Sequence, residues 1–247
     1  MISTVNSPTV ADVPSLLGIG LYTPQEASLY ARVSTRLMNR WLFGDGTGES
    51  VIRPQLGQID DERTVTFLDL VQALSIRAIR TDYKIPLQKI REAVEHAQDQ
   101  FGIQYPFATQ HTTYLLSDGM KDGHGEIVIQ IQGRDEDPRM IQISGRNSGN
   151  YVIRQVAEYF SDDLHFAASG LADLWTPLKL DDDAVTLNPR VRFGEPMIQS
   201  CGITARTLFE AVHSEGSILN AADAYGVEAS AVKLACRYFD NLKSPAA

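Results

Sequence analysis

The chain is short of the features that would place it outside the cell or in a membrane. It has two cysteines, Cys201 and Cys236, in 247 residues. That is too few for a disulfide scaffold or a cysteine-based zinc site, so both are expected to be small buried hydrophobes in a reducing cytoplasm. No window approaches a membrane-spanning apolar run, and the opening MISTVNSPTVADVPSLLGIG lacks a basic stretch followed by an apolar core. Neither secretion nor membrane insertion is expected. Positive charge is scarce too: 22 Lys and Arg stand against 31 Asp and Glu, a formal net charge of −9. That balance excludes a uniformly basic nucleic-acid binder, because counterion release from phosphate needs clustered cations. The acid excess is uneven, however. Residues 21–105 carry ten cations against eleven acids, 106–180 six against ten, and 181–247 six against nine. A near-neutral front can present a local arginine face of modest affinity, and a homodimer or higher oligomer is expected to supply the rest.

Enzymatic signatures are missing as well. The glycine-rich GDGTGES (44–50) is not followed by Lys-Ser/Thr and opens no helix, so it is not a nucleotide loop. Ser161, Asp162, Asp163 and His165 sit in FSDDLHF with the spacing of a helix end or turn and with no partner nucleophile. Asp118, Asp122, His124 and Glu126 match no calcium loop, and Asp with Gly is ordinary turn composition. No catalysis, no metal and no cofactor are expected.

What is present is concentrated in Thr23 to Phe43, TPQEASLYARVSTRLMNRWLF. Thr23 is a capping residue, Pro24 fits the first helical position, and Gln25 and Glu26 suit the positive end of the helix dipole, which predicts a short helix to about Ala31. After a break at Arg32 and Val33, Ser34 or Thr35 caps a second helix on which Leu37 and Trp41 form an apolar stripe, with Val33 beneath. Arg36, Asn39 and Arg40 recur at i, i+3 and i+4, so they share a face turned away from the packed side. With Ser34 and Thr35 at the helix start, and Arg53 at the base of a wing placed at GDGTGES between Leu42-Phe43 and Val51-Ile52, they are the candidate nucleic-acid contacts.

The rest of the chain divides by texture. Residues 1–20 read as a flexible lead-in. Within 21–106, Thr66 with Asp69 caps a helix through VTFLDLVQALSIRAIR, and Leu87 to Phe101 forms another that stops at Gly102. Arg77, Arg80, Lys84, Lys89 and Arg91 give this unit a basic rim. Within 107–183, HTTYLL, EIVIQIQ and RMIQIS read as strands, Tyr151 to Phe160 as a helix, and LADLWTPLKL as a lead toward an acidic joint at Asp181, Asp182 and Asp183. Within 184–247, Val185 to Leu187 reads as a short strand, and a helix starts at Thr204. Ser217 opens ILNAADAY, Gly226 stops it, and Glu228 to Leu242 is a last helix with Val232, Ala235, Cys236 and Phe239 on one side. Ala222, Gly226 and Val232 hold the small, turn and buried positions of a second helix-turn-helix. The expected fold is therefore α+β, mainly α, with a β-containing middle module and a C-terminal trihelical domain.

Two stretches resemble known families. EASLYARVSTRLMNRWL resembles the first helix-turn-helix of MerR-like winged-helix proteins, which have Gly where this chain has Arg32. NPRVRFGEPMIQSCGITARTLFEAVHSEGSILNAADAYGVEASAVKLACRYF is similar to domain-of-unknown-function family 433, with a diverged step at Cys201 to Arg206. Together the two stretches resemble the long VapB-type antitoxins. The resemblance implies a cytoplasmic repressor and inhibitor, with one end on operator DNA and the other on a PIN-like ribonuclease toxin. Such toxins have a carboxylate-lined metal site, and Arg190, Arg192 and Arg206 are the candidate partner contacts, chosen on charge. The competing expectation is a stand-alone MerR-like transcription regulator without a toxin partner.

Overall fold

The computed structural model describes residues 19–44, 46, 48–81, 84–110, 112–115, 126–132, 138–143 and 163–243. The lead-in through position 18, the helix expected over Tyr151 to Phe160, and Asp118, Asp122 and His124 lie outside them. Among the described residues the chain is mixed α and β, with seven α-helices and three antiparallel sheets.

Local capping chemistry starts the fold. The Thr23 hydroxyl accepts from the Glu26 amide at 3.2 Å, and the Glu26 carboxylate accepts from the Thr23 amide at 2.9 Å, a reciprocal cap that fixes α1 (Pro24–Tyr30). Ser34 caps α2 (Thr35–Phe43) by accepting from the Leu37 amide at 3.2 Å. A short strand β1 (Leu21–Tyr22) precedes the pair, and β2 (Gly57–Ile59) and β3 (Glu62–Thr66) follow it in one sheet ordered β1-β3-β2. The hairpin is not where glycine content put it. Val51 and Ile52, which flank the glycine-rich turn, both donate their amides to the Trp41 carbonyl at 2.7 and 3.2 Å, which folds the chain back onto α2. The strands are joined at Asp60-Asp61, both left-handed with φ 49 and 67; a short polar side chain tolerates this conformation, and it matches the twist of a two-residue hairpin.

Thr66 and Asp69 cap α3 (Phe67–Thr81) as the sequence predicts, the Thr66 amide donating to the Asp69 carboxylate at 3.0 Å and the Asp69 amide to the Thr66 hydroxyl at 3.3 Å. Asp69 is fully buried and also accepts from the Gln55 amide at 3.1 Å. Burial outweighs these bonds and pushes its carboxyl up to about 6. Helix α4 (Leu87–Phe101) ends at left-handed Gly102. Phe67, Leu70 and Ile90 from α3 and α4 join Met38, Trp41 and Leu42 from α2 in the core.

The middle sheet contains β4 (Thr112–Leu115), β5 (Glu126–Gln132) and β6 (Pro138–Gln142), in that order, on the three expected runs. The third sheet is ordered β11-β10-β9-β8-β7. Its strands are β7 (Leu164–Phe166), β8 (Ala172–Leu180), β9 (Asp183–Leu187), β10 (Met197–Ile198) and β11 (Ile203–Thr204). LADLWTPLKL is thus not a lead but the longest strand described. Its register shifts between Trp175 and Leu178, the kind of irregularity that lets Pro177 sit inside a sheet. Asp181 and Asp182 turn the chain, and Asp183 accepts from the Ser200 amide at 3.0 Å and the Ser200 hydroxyl at 2.6 Å, so the acidic run is a turn and a latch. The sheet takes strands from both sides of position 183. Three helices close the chain: α5 (Ala205–Glu215), capped by Thr204, α6 (Ile218–Tyr225), capped by Ser217, and α7 (Ala229–Lys243).

An aromatic seam joins the first and last elements. The Tyr22 hydroxyl donates to the Gly194 carbonyl at 2.9 Å, Arg206 hydrogen-bonds Tyr30, and the Tyr22 and Tyr30 rings meet edge to face at 5.8 Å. Burial raises the hydroxyl pKa of both, and that of Tyr238 from α7 as well. Each buried ring contributes roughly 2 to 3 kcal/mol of gross apolar stabilisation to this seam.

Candidate nucleic-acid interface

The turn between α1 and α2 sets the direction of α2. Arg32 has φ 53, its amide donates to the Leu29 carbonyl at 3.1 Å, and the Val33 amide donates to the Ser28 carbonyl at 3.0 Å. This is a helix-ending left-handed turn at a position that costs about 1 kcal/mol without glycine. Across it, the Ser28 and Thr35 hydroxyls lie 2.9 Å apart and tie the two helices together. Ala27 and Ala31 are fully buried and let the helices approach.

Helix α2 buries Met38, Trp41 and Leu42, which lie at i, i+3 and i+4. The expected Leu37–Trp41 stripe is corrected here: Leu37 is 39% exposed while Met38 is fully buried, because the helix is rotated so that Met38, not Leu37, faces the core. The rotation leaves Arg36 and Arg40 exposed on the side opposite the core. Arg36 makes no hydrogen bond or ion pair among the described residues. Asn39 is half-buried and engaged: its amide nitrogen donates to the Thr35 carbonyl at 2.9 Å, and its oxygen accepts from Arg63 at 2.8 Å. Arg63, on β3, also lies 5.0 Å from the centre of the Phe43 ring. The hairpin therefore adds a third guanidinium beside this face, one the sequence reading missed. Alternation around Asp60-Asp61 was the available signal.

The other candidates are dispersed. Ser34 is spent as a cap and the Thr35 hydroxyl on Ser28. Arg53 is exposed but lines a cleft with Gln98, Asp99 and Tyr105, apart from the cleft that Arg40 lines. Of the basic rim, Arg77 donates to the Ala31 carbonyl at 2.9 Å and Arg80 to the Ile85 carbonyl at 2.7 Å. Arg91 holds the Glu49 and Ser50 carbonyls at 3.0 and 3.2 Å. His165 meets Asp173 across β7 and β8 at 2.6 Å and stays largely exposed, while Ser161 and Asp162 lie outside the described residues.

Arg190 and Arg192 lie on a second exposed feature. Arg192 and Phe193 are left-handed in succession, with φ 45 and 55, before Gly194 at φ 88. The strain turns Val191 (42% exposed) and Phe193 (52% exposed) outward beside the two arginines, and Arg192 pairs with Glu195 at 3.1 Å. Glycine is required at 194, because a Cβ there would overlap the Tyr22 hydroxyl. Arg206, by contrast, faces Tyr30 in the seam. Cys201 and Cys236 are free thiols and half-buried.

No family model matches the chain. The chain is similar to a Mycobacterium tuberculosis protein named "Putative antitoxin VapB45", 23% identical over 218 residues that span 85% of this chain and 89% of the relative. It also resembles the crystal structure of Rv2018 from Mycobacterium tuberculosis, with 22% identity and a TM-score of 0.57 over 89% of this chain and 99% of that one. This likeness identifies the fold: the same mixed α and β arrangement runs through nearly the whole of both chains.

Proposed function

We propose that the chain is an antitoxin of a two-protein toxin–antitoxin pair, acting as a homodimer or higher oligomer that binds operator DNA and neutralises a PIN-like ribonuclease toxin. Residues 21–106 serve as a MerR-like winged helix-turn-helix with α2 as the reading helix and the β2–β3 hairpin as its wing. Residues 184–247, whose strands share the third sheet with β7 and β8, form the partner-binding end. One observation carries the DNA half: α2 tucks Trp41 into the core and holds Arg36 and Arg40 outward. Two support the toxin half. The similar chain is named as an antitoxin, and the strained loop of Arg190 to Phe193 offers guanidinium groups flanked by exposed apolar side chains, the composition favoured at the centres of protein interfaces.

A mobility-shift titration on the chain's own promoter tests the first half. Arg36→Ala and Arg40→Ala are each expected to weaken binding by about 1 to 3 kcal/mol if base edges are touched, with thermal stability unchanged. Wild-type affinity in both variants would exclude α2 as the reader. For the second half, co-purification with the product of the neighbouring reading frame is expected, and the pair Arg192→Glu and Phe193→Ser is expected to abolish it. Point substitutions are preferable to truncation after Asp183, which would remove three strands of the third sheet and the Tyr22–Gly194 bond. A complex that survives both substitutions places the contact elsewhere.

A further inference from the structure

Helix α4 ends without the charge that would balance it. The last carbonyls of a helix carry about half a negative charge, which a cation in the last turn ordinarily offsets. The last turn of α4 has no basic residue and contains Asp99 instead. Asp99 is exposed and makes no hydrogen bond or ion pair among the described residues. It lines a cleft of about 300 Å³ together with Arg53 and Gln55 from the segment before β2. Arg53 is likewise exposed and without a partner among the described residues. The Gln55 side-chain oxygen is buried and accepts no hydrogen bond there. A buried acceptor without a donor is destabilising, so a donor supplied from outside gains more here than on an open surface. Both walls are held from behind. The Gln55 backbone amide donates to the Asp69 carboxylate at 3.1 Å, and the Gln98 side-chain amide donates to the Gln104 carbonyl at 3.0 Å.

We propose that this cleft binds a small zwitterion of the amino-acid class, its carboxylate on Arg53 and its ammonium on Asp99 and the Gln55 oxygen at the end of α4. Two opposite charges that line one cleft without pairing leave room for a molecule that carries both. The guanidinium offers a carboxylate two parallel N–H donors. An ammonium has three donors and no acceptor, and it meets the Asp99 carboxylate, the Gln55 oxygen and the negative end of the helix dipole. The volume lies at the lower end of the roughly 300 to 1,000 Å³ of small-molecule sites. Among the described residues, Pro54 and Gly102 are the nonpolar lining, so the hydrocarbon of the ligand is short. Charge decides against the simpler ligands. Arg53 is the one cation lining the cleft among the described residues, so a phosphate seated on it would face Asp99 with no second cation to offset the repulsion. A plain amine would face Arg53 in the same way. The site is independent of the proposed operator reading.

The probes are glycine, 4-aminobutanoate and 6-aminohexanoate, zwitterions of increasing charge separation, titrated against the full chain by saturation-transfer difference NMR. At least one is expected to bind saturably. Its affinity is expected to fall about tenfold or more in Arg53→Gln and in Asp99→Asn, both at exposed positions, while circular dichroism is unchanged. Butanoate and butylammonium, which carry one charge each, are expected to bind about tenfold more weakly than that zwitterion, and inorganic phosphate is expected not to displace it. Saturable binding of none of the three zwitterions overturns the proposal. So does binding that either substitution leaves unmoved, or a singly charged probe that binds as tightly. Displacement by phosphate would assign Arg53 to phosphate, as a nucleic-acid contact, and would overturn the proposal as well.

Discussion

The chain contains the same turn twice. Between α1 and α2, the amide of residue 32 reaches the Leu29 carbonyl and that of Val33 the Ser28 carbonyl; between α6 and α7, the amide of Gly226 reaches Asp223 at 3.2 Å and that of Val227 reaches Ala222 at 2.9 Å. Residue for residue, Arg32 at φ 53 corresponds to Gly226 at φ 62. The helices that follow the two turns differ in what they expose. Arg36 and Arg40 of α2 correspond to Ser230 and Leu234 of α7, and Leu234 is 1% exposed. Helix α7 packs against α5 and α6 and also against β9 and β10, so the position matching Arg40 is spent on packing, while the one matching Arg36 is an exposed but uncharged serine. One backbone motif thus presents a cationic face at one end of the chain and a structural helix at the other. The local turn does not decide which; what packs around the second helix does. This is the physical reason to assign DNA to the front pair and not to the back one.

The strongest way to break the comparison is to exchange the two sets of side chains. Leu234→Arg places an uncompensated charge on the buried side of α7 and is expected to cost more than about 3 kcal/mol, enough to lose cooperative unfolding. Arg40→Leu is expected to change stability by less than about 0.5 kcal/mol, since the position is exposed. Denaturant titration of both variants measures the contrast. A tolerated Leu234→Arg would show that α7 has a free face after all and would reopen the back pair as a reader.

A smaller difference is sharpened by pH. The front helix α3 is capped by a buried carboxylate, Asp69, whereas α5 is capped by the neutral Thr204 hydroxyl, which accepts from the Thr207 amide at 3.1 Å. Burial raises the Asp69 pKa from 3.8 to about 6. Between those values the folded chain holds a proton that the unfolded chain has released, so Asp69 makes stability fall as pH rises through this window, by about 3 kcal/mol in full. Asp69→Asn cannot titrate. Its stability deficit relative to wild type is expected to shrink by an amount of that order between pH 4 and pH 7, by chemical denaturation, while Thr204→Ala shows a deficit independent of pH. A gap for Asp69→Asn that widens with pH would mean that the cap bonds from Thr66 and Gln55 outweigh burial.

What could be read from the sequence follows the same division between local and tertiary causes. Thr23-Pro24, Thr66 with Asp69, Thr204, and Ser217 with Gly226 mark helix ends because capping is chemistry within four residues, and the structure places those ends within a residue of the reading. The rotation of α2 was not legible in that way. Leu37, Met38, Trp41 and Leu42 spread over nearly half the helix circumference, and only tertiary packing selects Met38 over Leu37. The β2–β3 hairpin was hidden because Asp-Asp stands where Asn-Gly or Asp-Gly would announce it, and Pro177 disguised β8. Residues gathered from distant stretches, such as Arg63 beside Asn39 and Lys243 beside Arg40, have no signature in a single sequence.

The smallest expected effect tests the two turns themselves. Gly226→Ala puts a Cβ on a left-handed residue with open space around it, so the cost is backbone strain alone, about 1 kcal/mol. Arg32→Gly relieves the same strain and is expected to stabilise by somewhat less, about 0.5 kcal/mol, because glycine also gains freedom in the unfolded chain. Opposite signs of similar size, read from denaturation midpoints at fixed slope, would establish that the turns are energetically as well as geometrically alike. If Arg32→Gly destabilises, the guanidinium contributes more to the fold than its backbone conformation costs. The cleft that Arg32 and Arg40 line would then be held open by the arginine that departs from the MerR-like pattern, and the front turn would be a specialised form of the back one.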